Sequence, residues 1–153
     1  ARSTGLSVAE AEKFIEEYFN DFSEVKRWRE ETIEGAKKNG YVENLNGRKR
    51  WLPKITSFDR RFASEAERAA TNMPIQGLAA DIIKLAMIKV PKTKDIRMVL
   101  SIHDELLFEI NKKVLKKMIP KIKQIMESVY TLKVPLKVDV AYGESWGTLE
   151  KHA

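Results

Sequence analysis

Two apolar runs constrain this chain more than any other feature. Ile96-Arg97-Met98-Val99-Leu100-Ser101-Ile102 and Leu106-Leu107-Phe108-Glu109-Ile110 are rich in aliphatic and aromatic side chains, as strands are. Only His103, Asp104 and Glu105 stand between them. So short a gap suits an antiparallel reversal, because a parallel crossover needs a dozen or more residues. The chain therefore places two acids and a histidine between two strands, where charge is costly to keep.

Two carboxylates about 5 Å apart repel by roughly 1–3 kcal/mol at intermediate dielectric. A divalent cation reverses the sign. Oxygen donors of this kind suit magnesium, which keeps several waters and takes one or two protein carboxylates when substrate phosphates supply the rest. Adjacent strand residues point to opposite faces. Both acids reach one metal only if a turn bends the backbone; otherwise one is a ligand and the other is not. The residues alone favour a solvated hairpin tip, since aspartate is a good turn residue.

The other segments surround this hairpin with helices. Ser7 and Glu10 form a capping box before the helical pattern at 8–20. Ser23 opens a second helix that Asn39-Gly40 ends. Asn46-Gly47 signals a hairpin, with Arg48, Lys49 and Arg50 on the returning arm. Residues 54–63 read as a loop. Pro74 predicts a break in the next helical pattern, giving helices at 65–72 and 75–89. Asn111 caps a further helix that contains Pro120, and alternation at Leu136, Val138, Val140 and Tyr142 predicts a last strand. The expected class is α+β: an antiparallel sheet packed against long helices, preceded by a helical segment with a β-hairpin.

A second polar feature lies on the helix pair. Arg68, Asn72 and Gln76 are four apart and share a face if the helix runs on. Side-chain amides can donate to the minor-groove acceptors, purine N3 and pyrimidine O2, that every base pair offers. A polar helix face in water is the plainer reading. Composition bears on both features. The 28 basic and 22 acidic residues leave a net charge of +6, which favours a polyanionic partner. Cysteine is absent, which excludes disulfides and thiolate sites and fits a reducing compartment without proving one. No apolar run approaches the ~18 residues of a membrane span, and no secretory pattern opens the chain.

Taken together, GYVENLNGRKRWLP (40–53), ERAATNMPIQGLAADIIKLAM (67–87), SIHDELLFEI (101–110) and the GESW at 143–146 resemble the C-terminal part of family A DNA polymerases, the bacterial DNA polymerase I type. In this order and spacing the match is highly specific. The resemblance implies residues 1–70 as a partial fingers subdomain and 71–153 as the C-terminal half of the palm. It implies that Asp104 is the second metal-binding aspartate of a two-metal Mg2+ site and Glu105 its acidic neighbour. It places His103 near the primer terminus, Arg68, Asn72 and Gln76 on the template-primer, and Arg48 near the DNA backbone. Lys49 departs from the family's commoner arginine, keeping charge but losing the guanidinium fork.

The family's first metal-binding aspartate, in a pattern like Asp-Tyr-Ser-Gln-Ile-Glu, does not occur here, nor does its nucleotide-binding helix. The expectation is therefore part of a DNA-directed DNA polymerase of replication or repair, inactive alone. Its partners would be template-primer DNA, dNTP and the N-terminal remainder of the enzyme, or a second copy meeting an exposed sheet edge. The alternative is a non-catalytic fragment that binds duplex DNA. The implied location is a bacterial-type cytoplasm, with the nucleoid, or an organelle of bacterial descent, and no membrane.

Overall fold

The structure, a computed structural model, describes residues 5–152. The fold is α+β, as expected, and divides into two compact units, up to Gly77 and from Leu78 onward.

The first unit opens on α1 (Val8–Asp21). The Ser7 hydroxyl accepts from the Glu10 N–H at 3.2 Å, and the Glu10 carboxylate accepts from the Ser7 N–H at 2.8 Å. The Ser7 side chain and backbone hold the Glu10 carboxyl below the usual carboxylate range. Helix α2 (Ser23–Asn39) ends on Gly40, whose left-handed backbone donates to the Ala36 carbonyl. Then β1 (Tyr41–Glu43) pairs antiparallel with β2 (Lys49–Trp51). Ala36, Val42, Leu52, Ile55, Ala66, Ala70 and Met73 form one apolar core, which joins α2, this hairpin and the helix that follows.

That helix corrects two expectations. It is a single 30-residue element, α3 (Arg60–Lys89), with Pro74 inside it. It also begins within the segment read as a loop. Asp59 explains the start: its carbonyl accepts from the Ala63 N–H at 3.0 Å and its carboxylate from the Arg61 N–H at 2.9 Å. Burial explains the continuation. Proline inside a helix costs about 3 kcal/mol or more. Ala66, Ala70 and Met73 are buried before Pro74, and Leu78 and Ala86 after it. Packing on both sides opposes a break that a local rule predicts.

In the second unit β3 (Ile96–Ile102) and β4 (Glu105–Ile110) form an antiparallel pair. Helix α4 (Lys112–Ser128) follows, with Asn111 as its cap accepting from the Lys113 N–H. Val90, Ile96, Met118 and Ile122 are its buried centre, with Phe108, Ile110, Val114, Ile125 and Met126 around them. Ile96 faces Ile110 and Met98 faces Phe108, but Leu100 faces Leu107. Val99 is thus the extra residue of a bulge, which turns Val99 and Leu100 outward, 38% and 42% exposed.

The expected last strand is shorter than its alternation suggests. Only β5 (Val140–Tyr142) is strand, and it pairs with β6 (Glu150–His152), which was not foreseen. Upstream the Val138 N–H donates to the Glu127 carboxylate at 3.0 Å instead of to a neighbouring strand. Between β5 and β6 a side chain on Gly143 would lie 2.5 Å from the Thr148 carbonyl oxygen, so the GESW turn requires glycine there.

Candidate functional site

The acidic hairpin tip is tighter than a strand-to-strand gap of three residues suggests. Ile102 pairs directly with Glu105, so the loop is His103 and Asp104 alone. Glu105 already belongs to β4. His103 has φ +53°, the one non-glycine residue with positive φ among those described. A two-residue hairpin loop commonly places glycine, asparagine or aspartate at such a position. Histidine there carries some backbone strain. All three side chains are exposed. Among the described residues none of them makes a side-chain hydrogen bond or ion pair. The bend thus aims Asp104 outward with its oxygens unclaimed.

This donor set fits part of a hard-cation site. It supplies carboxylate oxygens in contact with water, the partners magnesium prefers. It does not fit a closed site: among the described residues no three His, Cys, Asp or Glu side chains come together around a common point.

Because α3 is unbroken through Pro74, Arg68, Asn72 and Gln76 lie at successive four-residue steps on one face. All are exposed, and none has a side-chain partner among the described residues. Such a stripe offers one guanidinium and two amides to a ligand lying along the helix.

Arg48 sits on a hairpin tip of its own, positioned by a residue that sequence reasoning missed. The Asn44 side chain, 4% exposed, accepts from the N–H groups of Asn46 at 2.9 Å and Arg48 at 3.1 Å. Its backbone N–H donates to the Arg48 carbonyl and its carbonyl accepts from Gly47, which is left-handed at φ +79°. The signal was present, since an asparagine two residues before another often folds into a local turn. A Cβ on Gly77 of α3 would sit 3.5 Å from the Asn44 amide nitrogen, so hairpin and helix lie close at that point.

A family model for DNA polymerase family A matches residues 1–148. The chain belongs to DNA polymerase family A. It is 45% identical over 149 residues to the thermostable DNA polymerase I of Thermus aquaticus, covering 95% of this chain and 18% of that protein. It is 44% identical over 151 residues to the DNA polymerase I of Bacillus caldotenax, covering 95% and 17%. A solved structure, the POL domain of Pol1 from M. smegmatis in complex with DNA primer-template and dNTP, aligns with TM-score 0.89 and 42% identity. That alignment covers 95% of this chain and 27% of the other. This family A chain thus spans under a fifth of the length of its curated relatives.

In this polymerase-family chain the expected site residues fall into two groups. His103, Asp104 and Glu105 share one hairpin tip in the second unit. Arg68, Asn72 and Gln76 share one helix face in the first unit, which also contains Arg48. Among the described residues no helix is long and apolar enough to cross a membrane.

Proposed function

We propose that this chain is the C-terminal portion of a DNA-directed DNA polymerase and carries one half of its two-metal centre. The observation that carries the reading is Asp104: an aspartate with no side-chain partner among the described residues, exposed on a two-residue turn at the end of a packed hairpin.

In this reading residues 1–70 belong to the fingers and 71–153 to the palm. Asp104 is the magnesium ligand, and the bound ions would lower the charge barrier between a primer 3′-hydroxyl and the dNTP phosphates. The chain's own residues do the rest. Glu105 sets the negative potential beside Asp104. His103 lies against the primer terminus. Asn72 and Gln76 donate to the minor-groove edge near the newly formed pair, testing its shape without reading its sequence. Arg68 and Arg48 meet phosphates, where a planar fork suits bidentate contact. Among the described residues the β3–β4 sheet has two strands, so its unpaired backbone edges are open to a strand from the remainder of the enzyme, and exposed Val99 and Leu100 add apolar surface there.

Mixing this chain with the N-terminal portion of the polymerase tests the proposal, with primer extension in magnesium as the readout. Extension is expected from the mixture, none from this chain alone, and none from a mixture carrying Asp104→Ala. Extension that survives Asp104→Ala would overturn it.

A further inference from the structure

The second unit, residues 78–153, has 14 basic and 9 acidic residues, a net charge of +5. Helix α4 accounts for all of it: Lys112, Lys113, Lys116, Lys117, Lys121 and Lys123 stand against Glu127 alone. All six lysines are exposed. At about 3.6 residues per turn, Lys112, Lys116 and Lys123 fall on one line along the helix, and Lys113, Lys117 and Lys121 on the next.

The opposite side of α4 anchors it. Met118 and Ile122 are buried with Val90 and Ile96, and Val114, Ile125 and Met126 pack around them with Phe108 and Ile110. The lysines therefore face away from β3 and β4. Lys112 meets Glu144 at 2.6 Å, and Lys123 lies 4.0 Å from Glu127, whose carboxylate also accepts from the Val138 N–H. Lys113, Lys116, Lys117 and Lys121 have no side-chain partner among the described residues. This arrangement works against the helix. No acid stands in its first turn, where the macrodipole favours one, and Lys113, Lys117 and Lys121 are like charges four residues apart. Helix α2, by contrast, sets Arg27 between Glu24 and Glu31.

We infer that the lysine face of α4 docks on the phosphate backbone of duplex DNA, a sequence-independent contact additional to the Asp104 tip. Charge complementarity calls for a polyanion. A lipid surface would need the apolar side of α4, which is already packed within the unit. A protein partner would need the aromatic, methionine and arginine anchors of an interface, where lysine is depleted, and this face has none of them. An unpaired strand would need rings to stack on, which the face also lacks. A row of phosphates fits: Lys112 to Lys123 span about 16 Å of helix, and a duplex carries one charge about every 1.7 Å. Lysine supplies point charges without a planar fork, which suits phosphates of any sequence. The inference rests on the polymerase reading only for taking the duplex to be DNA.

Fluorescence polarisation with labelled blunt hairpin duplexes, one A·T-rich and one G·C-rich, tests it on the whole 153-residue chain, without magnesium, dNTP or a complementing fragment. Its failure is therefore separable from failure of the Asp104 experiment, which reads primer extension. Lys116→Gln with Lys117→Gln and Lys121→Gln keeps the helix propensity close to that of lysine. This triple variant is expected to weaken binding to both duplexes about tenfold or more and to flatten the salt slope by about 2.7, at about 0.9 per contact. Arginine at the same three positions should restore both. Lys13→Gln with Lys26→Gln and Lys38→Gln removes the same net charge from the first unit and should flatten the slope by less than about 1. Equal losses from the two glutamine variants would overturn the inference, by showing that net charge alone acts. So would an unchanged slope in the α4 variant, the result expected if an acidic protein covers the face, or a loss confined to one of the two duplexes.

Discussion

The two hairpins are built on opposite principles. At the β1–β2 tip every constraint is met locally. Glycine takes the left-handed position, and the buried Asn44 carboxamide accepts the N–H groups of Asn46 and Arg48. At the β3–β4 tip histidine takes the left-handed position, and three polar side chains point into water without partners. The first turn is arranged for stability. The second carries backbone strain at His103 and leaves an aspartate exposed to water, and such strain tends to gather where function needs it.

The contrast breaks most visibly through Asp104→Ala. In the complemented polymerase it should lower primer extension by about a thousandfold or more, since a metal clamp contributes several kcal/mol to the transition state. Its unfolding free energy in urea should shift by no more than about 0.5 kcal/mol, the usual range for an exposed site. Asn44→Ala should do the reverse. Removing a buried acceptor of two N–H groups is expected to cost about 1–3 kcal/mol by urea denaturation.

Exchanging the residues with positive φ sharpens the comparison. Gly47→Ala should destabilise by about 1–2 kcal/mol, the cost of a Cβ in left-handed backbone. His103→Gly should stabilise by about 0.5–1 kcal/mol, the released strain less the added chain entropy of glycine. Losses of similar size at both turns would show that the second is not strained.

The smallest effect concerns Asp59, the partnered counterpart of Asp104. The Arg61 side chain, then the Arg61 N–H, hold its carboxyl below the ordinary aspartate range. A folded value below the unfolded one means a contribution fully present above the ordinary range and lost as pH falls through the folded value. Amide resonances of the first turn of α3 should therefore titrate in acid, and Asp59→Asn should abolish that titration.

Local chemistry made much of this legible. Ser7 with Glu10, Asn39-Gly40 and Asn111 each mark a helix end through bonds spanning a few residues, and each stands where expected. The reversal at His103-Asp104 followed from the short gap between apolar runs. The missed features depend on distant partners. Pro74 does not end α3, because side chains far apart in sequence bury both of its flanks. The bulge at Val99 depends on how β3 registers against β4. The residues at 136–139 alternate like a strand but have no partner strand among the described residues, while 140–142 find one in β6.

The amino-acid order by itself determined where turns and caps lie, which residues are chemically able to bind metal or DNA, and the family. These rest on interactions a few residues long. The tertiary structure decided that Arg68, Asn72 and Gln76 share one unbroken face and that Asp104 stands exposed at a two-residue bend. Those facts depend on packing and strand register, in which the free energy of burial outweighs a local preference such as that of proline.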